Sequence, residues 1–423
     1  MTAAPADAGT VRVAIVMPND PEAMRIGGIA AFVRTFAKFA PADFELAFVG
    51  VTATRPLWRW QHIELGGRQL RFLPVARGVS GVRSRIPISL RFAAALARHR
   101  SRLGLRGWII SLHRPGTDLP LRGLGLPMWR VVHLGIDDLR GQGSESRWRR
   151  LTRVLRRLEG RTFRSMDRVY AVNRDVAEQY RQLFPEVADR IHFIPNWADP
   201  TVFRPMAPAE RLGLRATVAR ELEAPELPAT DAPLLLYAGR LEGQKDPRLL
   251  ARAFIEIRAA HPGALLVVAG QGSLRPQVER VLAEAGALQA ARFVGTIEPQ
   301  QLARMMHASD AMLITSAFET GPTVGLEALA CGLPVVTTAV GEVARVVRSQ
   351  RAGAVVDERT PRAVALGVEW VMEQPADQLR QRCVDAAAPY LADQVLQELY
   401  DYNRQLAART AGSAAAPQRV AET

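Results

Sequence analysis

Short apolar runs that end in glycine-rich or polar turns, each followed by a segment at helical spacing, recur along most of this 423-residue chain. That alternation is the tightest constraint on its fold. Strands alternating with helices of roughly 10–15 residues build a parallel sheet with both faces covered. The first series starts with V-R-V-A-I-V-M at 11–17 and continues through 44–51, 70–75, 107–112, 128–133, 167–172 and 190–194. Residues 206–232, rich in Ala, Pro and Glu, interrupt it. A second series then runs from L-L-L-Y-A-G-R through A-L-L-V-V-A-G, R-F-V-G, 310–314 and V-V-T-T to 354–356. Two such series joined by a hinge predict an α/β chain of two Rossmann-like domains.

The most informative stretch lies in the second series, T-S-A-F-E-T-G-P-T-V-G-L-E-A-L-A-C-G-L-P-V-V-T-T at 315–338. It reads as a strand end, a turn with Gly321 and Pro322, a helix, and the next strand. Thr323 is placed to cap a helix whose first turn holds Val324 and Gly325, and Gly332 and Pro334 stop it. A helix N-terminus after a parallel strand is an anion site. Glu319 above the strand end and Glu327 inside the helix are odd partners for phosphate alone. They suit a ligand that also carries hydroxyls, from which carboxylates accept hydrogen bonds. Gly239 to Lys245, G-R-L-E-G-Q-K, follows the first strand of the same series, and ligands of open α/β sheets bind beyond the carboxyl ends of strands. Arg240 and Lys245 therefore project toward that site; Lys38 and Lys245 are the chain's two lysines among 55 basic residues. Gly270-Gln271-Gly272-Ser273 lacks the third glycine of a dinucleotide fingerprint, but it allows backbone to approach a base or ribose.

Two glutamates seven residues apart, followed by E-A-L-A-C-G-L-P-V-V, resemble the signature of the retaining glycosyltransferases of family 4, which have the GT-B architecture. I-P-N-W-A-D-P-T-V-F-R-P at 194–205 is similar to that family's interdomain hinge, with Trp197 and Ala198 where Gly-Val is usual. The resemblance implies two parallel-sheet domains facing a central cleft. Their expected bounds are 1–200 for the acceptor side and 201–395 for the nucleotide-sugar side, with a terminal helix at 396–410 packing back on the first domain and a disordered tail at 411–423. It also implies roles. Arg240 and Lys245 hold the donor diphosphate in place of a metal, Glu319 orients the donor sugar and Glu327 takes ribose hydroxyls. Gly239, Gly272, Gly321, Thr323 and Val324 contact the donor, and Asn196 meets substrate or fixes the hinge. In the first domain, Gly27-Gly28 before a helix meets the sugar nucleotide, and His133 at a strand end meets the transferred sugar. The chain has no D-x-D, so a metal-bridged diphosphate is not indicated, and no cofactor or metal is expected.

Charge bears on the partner. Residues 1–200 hold 32 basic and 17 acidic side chains, against 23 and 25 in the remainder. Such asymmetry points to an acidic partner for the first half. The helix predicted over 83–103 offers Leu90, Ala94, Ala97 and Leu103 as a buried stripe, with Arg91, Arg98, Arg100 and Arg102 opposite. It reads either as a Rossmann helix with a solvated basic face or as a helix lying on an anionic membrane. A second basic helix, spanning 145–165, has Leu151, Leu155 and Leu158 at helical spacing; no recognition motif accompanies it, so nucleic acid is not an expected partner. No apolar run nears the ~18 residues of a membrane span, the N-terminus lacks a signal pattern, and Cys331 and Cys383 form no framework. The expected location is cytoplasmic, or peripheral on the inner face of the membrane.

The expected activity is transfer of a hexose from a UDP- or GDP-sugar to a glycan or lipid-linked acceptor, in cell-surface polysaccharide or glycolipid synthesis. A GT-B sugar-nucleotide epimerase is one alternative, disfavoured by the basic first half. The other, a basic non-catalytic membrane or nucleic-acid module, is disfavoured by the Arg240/Lys245 and Glu319/Glu327 sets.

Overall fold

A computed structural model describes residues 9–24, 28–78, 86–133, 147–223, 232–319 and 323–415. It divides into two compact units. Unit 1 comprises the described residues up to 133, 147–194 and 393–415; unit 2 runs from Pro195 to Ala392. The chain thus leaves unit 1 at 194 and returns at 393, a few residues before the boundaries expected from the sequence.

Unit 1 carries β1 (Val11–Val16), α1 (Gly28–Phe39), β2 (Phe44–Thr52), β3 (Gln61–Leu65), β4 (Arg68–Arg77), α2 (Ile88–Arg98), β5 (Ile109–Leu112), β6 (Met128–Val132), α3 (Arg147–Arg164), β7 (Arg168–Ala171), α4 (Arg174–Leu183) and β8 (Ile191–Phe193). They form one sheet in the order β3-β4-β2-β1-β5-β6-β7-β8. All pairings are parallel except β3 with β4. The sequence reading missed β3, which alternates exposed His62 and Glu64 with buried Ile63 and Leu65 in only five residues.

Unit 2 carries α5 (Pro208–Glu221), β9 (Leu234–Ala238), α6 (Pro247–Ala260), β10 (Leu265–Ala269), α7 (Arg275–Glu284), β11 (Ala291–Gly295), α8 (Pro299–Ala308), β12 (Ala311–Ile314), α9 (Thr323–Ala330), β13 (Val335–Thr338), α10 (Gly341–Gln350), β14 (Gly353–Val356), α11 (Pro361–Glu373) and α12 (Ala376–Ala387). Its six strands are all parallel, in the order β11-β10-β9-β12-β13-β14. Central strands such as L-L-L-Y-A and L-L-V-V-A read as unbroken apolar runs because helices cover both faces. Local chemistry sets the helix starts. Asp246 caps α6 by accepting from the Leu249 amide at 3.2 Å, with Pro247 next, and the Thr360 hydroxyl caps α11.

The hinge-like segment belongs to unit 2. Trp197, Ala198 and Phe203 are buried. The Ala198 amide donates to the Tyr390 carbonyl at 2.9 Å and the Ala392 amide to the Ala198 carbonyl at 2.9 Å, so the outgoing and returning passages of the chain are bonded to each other.

The terminal helix α13 (Ala392–Ala415) packs on unit 1. It includes residues 411–415, which the composition predicts to be a disordered tail. Its Tyr400 hydroxyl donates to the Phe36 carbonyl at 2.8 Å, Arg404 pairs with Asp43, and Asn403 accepts from the Trp129 indole at 3.0 Å. Among the described residues no helix is long and apolar enough to cross a membrane.

The buried face of α2 differs from expectation. On α2 the buried residues are Phe92 and Leu96, with Leu103 beyond its end, while Leu90, Ala94 and Ala97 face solvent. Both sets satisfy helical spacing, and the bulkier one takes the core. On α3, Leu158 is exposed and Glu159 buried. The Glu159 carboxylate accepts from Arg130 at 2.9 Å and from the Tyr180 hydroxyl at 3.1 Å, a pairing that a buried charge requires.

Trp129 and Asn403 are both fully buried. Asn403→Leu leaves the indole N–H without an acceptor, at a cost of about 1–3 kcal/mol. Thermal unfolding should begin a few degrees lower; an unchanged midpoint would show that this bond does not fasten α13 to unit 1.

Candidate functional site

In unit 2 the strand order reverses between β9 and β12. At such a switch point the loops beyond the two strands diverge and leave a crevice at their carboxyl ends. The loop after β9 is Gly239 to Asp246, and the loop after β12 begins at Thr315. They are bonded to each other. The Ala317 amide donates to the Gln244 carbonyl at 2.9 Å, and the Thr315 hydroxyl lies 3.1 and 3.2 Å from the carbonyls of Lys245 and Asp246. Across this seam the Lys245 ammonium pairs with the Glu319 carboxylate. Glu319 is buried and also accepts from the Ser316 hydroxyl at 2.7 Å. Ser316 is itself placed by the Thr338 hydroxyl, which donates to its carbonyl at 2.7 Å. Arg240 is exposed beside the pair, one N–H directed to Gln244 at 3.3 Å. The residues expected to hold a diphosphate and to orient a sugar thus form one hydrogen-bonded group.

Gly272 also has a structural reason to be glycine. A Cβ at Gly272 would lie 2.3 Å from the Leu241 carbonyl oxygen, and one at Gly270, where φ is +142°, would lie 1.9 Å from the Gly239 carbonyl oxygen. Both glycines let the loops after β9 and β10 run side by side. The Gly239 amide donates to Ala269, the Leu241 amide to Gln271 and the Leu274 amide to Leu241. The Glu242 carboxylate clasps the far end, accepting from the Ser273 amide at 2.8 Å and hydroxyl at 2.7 Å. These bonds hold its pKa below the usual glutamate value.

Helix α9 begins at Thr323, so Thr323 and Val324 form its first turn, half-buried; Gly321 lies outside the described residues. Gly341, at the start of α10, has φ +73°, and a Cβ there would press on Glu319 at 3.1 Å. Glu327 sits one turn into α9. Burial first, and the Asp199 carboxylate second, raise its pKa to about 7. Asp199 comes from the hinge-like segment, as does Asn196, which is half-buried beside Trp197.

In unit 1, Gly28 is the first residue of α1, and a Cβ there would meet nothing within 4 Å; Gly27 lies outside the described residues. His133 follows β6, and His113, absent from the expected site, follows β5. The His113 Nδ1 and the His133 Nε2 are 3.1 Å apart, the Ser111 hydroxyl is 3.0 Å from the His113 Nε2, and Phe32 of α1 packs edge-on against both rings. Burial, then the nearby Arg114 charge, lower the His113 pKa to about 3; burial leads the fall at His133 as well. Both imidazoles are therefore neutral at pH 7. Two histidines at the ends of neighbouring parallel strands were the available signal for His113.

Glu327 makes stability depend on pH. The unfolded chain loses this proton near the usual 4.5 and the folded chain near 7, so the folded state binds more protons in between and stability falls as pH rises through that window. Glu327→Gln removes the titration. Its melting temperature relative to the parent should climb by several degrees from about pH 5 to pH 8; a gap that does not vary with pH would mean the carboxylate ionises normally in the folded protein.

Sequence models of two families match the chain, Glycosyltransferase Family 4 over residues 26–202 and Glycosyl transferases group 1 over residues 219–389. A D-inositol 3-phosphate glycosyltransferase of Xylanimonas cellulosilytica is 32% identical over 203 residues, 47% of each chain. The chain spans about half the length or less of the curated relatives it matches first. Two solved structures share the fold. Sucrose-phosphate synthase from Thermosynechococcus elongatus has a TM-score of 0.73 at 20% identity, covering 94% of this chain and 99% of its own. HepE of Anabaena, solved in complex with UDP, has a TM-score of 0.65 at 15% identity, covering 95% and 99%. With one family model on each half and this pair of parallel-sheet units, the chain belongs to glycosyltransferase family 4 and has the GT-B fold.

Proposed function

We propose that the chain is a retaining hexosyltransferase that takes a nucleotide sugar, a UDP- or GDP-hexose, onto unit 2 and transfers the sugar to a glycan or lipid-linked acceptor in cell-surface polysaccharide or glycolipid synthesis. The observation that carries this is the Lys245–Glu319 pair, held by Ser316 at the β9/β12 switch point with Arg240 beside it. The step breaks the bond from the sugar's anomeric carbon to the diphosphate oxygen and forms one to the acceptor hydroxyl oxygen, whose proton passes to the departing diphosphate. Negative charge grows on that diphosphate, and preorganised cations lower the barrier most when already aimed at it. Lys245 and Arg240 supply that charge without a metal in this reading. Glu319 fixes the ammonium and orients sugar hydroxyls rather than attacking the anomeric carbon. Glu327 accepts ribose hydroxyls, better as the carboxylate. The likeness to a UDP-bound structure supports this direction of reading.

Arg240→Ala and Lys245→Ala should each lower turnover of a nucleotide sugar by roughly 100-fold or more, with acceptor binding little changed. Near-normal turnover in the double variant would sink the assignment.

The same reading places the protein in the cytoplasm, peripheral on an anionic membrane. Leu90 is 61% exposed and Ile86 56%, and Leu90, Ala94 and Ala97 line the solvent side of α2 beside Arg91 and Arg98. An apolar stripe edged by arginines suits an interfacial helix. The protein should sediment with phosphatidylglycerol vesicles at low salt, release at high salt, and bind at least about tenfold more weakly as Leu90→Glu. Equal binding to neutral vesicles, or none, would remove the membrane from the proposal.

A further inference from the structure

We propose that Arg114 is an oxyanion-binding residue that takes a phosphate group carried by the acceptor at the end of the unit 1 sheet. It directly follows His113 at the carboxyl end of β5, where β1 and β5 flank the reversal of strand order in this sheet. Ligands of open α/β sheets are received at such ends. The Thr117 hydroxyl donates to the Arg114 carbonyl at 2.8 Å and fixes the turn.

Several other arginines of unit 1 have partners. Arg12 pairs with Glu45, Arg122 with Asp118, Arg130 with Glu159, and Arg404 with Asp43. The Arg114 guanidinium has none among the described residues. Arg91 and Arg98 of α2 also have none among the described residues, and both lie on its solvent side. Arg114 differs: its side chain is accessible, yet the protein around it strips away enough water to lower its pKa. A partly dehydrated charge without a counter-ion is unfavourable in the empty protein and is relieved when an anion arrives.

The histidines complete the receptor. Both are neutral, so Arg114 carries the one formal charge among Ser111, His113, Arg114 and His133. If the Ser111 hydroxyl donates to the His113 Nε2, His113 donates from Nδ1 to the His133 Nε2, and the His133 Nδ1 then bears a hydrogen. In the opposite polarity that nitrogen is a bare acceptor. An oxyanion selects the first arrangement and gains an N–H donor besides the planar guanidinium fork, which matches phosphate geometry. Arg114 is thereby a specificity residue for the class of acceptor. The inference rests on the transferase reading only for the molecule that carries the phosphate.

The test uses the full chain with labelled histidines, titrated with inorganic phosphate against chloride at constant pH and ionic strength. The His113 and His133 ring signals should move saturably while those of His62 and His99 stay in place. Arg114→Gln should weaken the response at least about tenfold, and Arg114→Lys should restore part of it. No saturable movement in the parent, or the same movement in Arg114→Gln, would overturn the site. Repeating the titration with saturating UDP separates the two sources of phosphate. An unaltered response supports the acceptor, and competition overturns that assignment in favour of the donor diphosphate. Failure of the chain to bind any nucleotide would count against the transferase reading, while the first titration still decides the phosphate site.

Discussion

The Lys245–Glu319 pair is the interaction on which the unit 2 site depends. A lysine and a glutamate brought together at a buried position are costly unless each is also hydrogen-bonded. Here the sheet supplies the remaining bonds. Thr315 reaches back to the backbone that carries Lys245, Ser316 holds the carboxylate, and Thr338 of the neighbouring strand holds Ser316. The hydroxyl-rich ends of β12 and β13 are therefore parts of the site, although neither strand would be chosen for chemistry from its composition.

The first unit sets two neutral imidazoles at the ends of β5 and β6 and buries an ion pair elsewhere. His113 and His133 lose their positive forms to burial, while Arg130 pairs with Glu159 deep between β6 and α3, with Tyr180 closing the arrangement. The result separates donors that can adapt to a ligand from ions that only hold the fold.

Much of this was legible in the sequence because buried parallel strands are unbroken apolar runs, and because loops after them carry the chemistry. The alternation and the positions of Arg240, Lys245, Glu319 and Glu327 follow from that rule and from a family signature. What stayed hidden depends on residues far apart in the chain. Spacing alone fits Leu90, Ala94 and Ala97 as well as it fits Phe92 and Leu96, and only the volume available under α2 decides between them. Gly272 is required by the Leu241 carbonyl 31 positions away, not by any local turn. The bonds that fasten the expected terminal helix, from Tyr400, Asn403 and Arg404 to Phe36, Trp129 and Asp43, are contacts no window of sequence displays.

The path of the chain has a consequence for synthesis. Among the described residues unit 2 runs from Pro195 to Ala392, whereas unit 1 lacks α13 until the chain has passed through unit 2. Domains generally fold as units while the chain is still emerging. All of unit 2 can therefore be synthesised before the first unit, whose Trp129 indole and Phe36 carbonyl are bonded by α13, has all its parts. The nascent protein is in effect an insertion that matures ahead of its host, and the exposed interval of unit 1 is the stage at which a chaperone would have the most to cover.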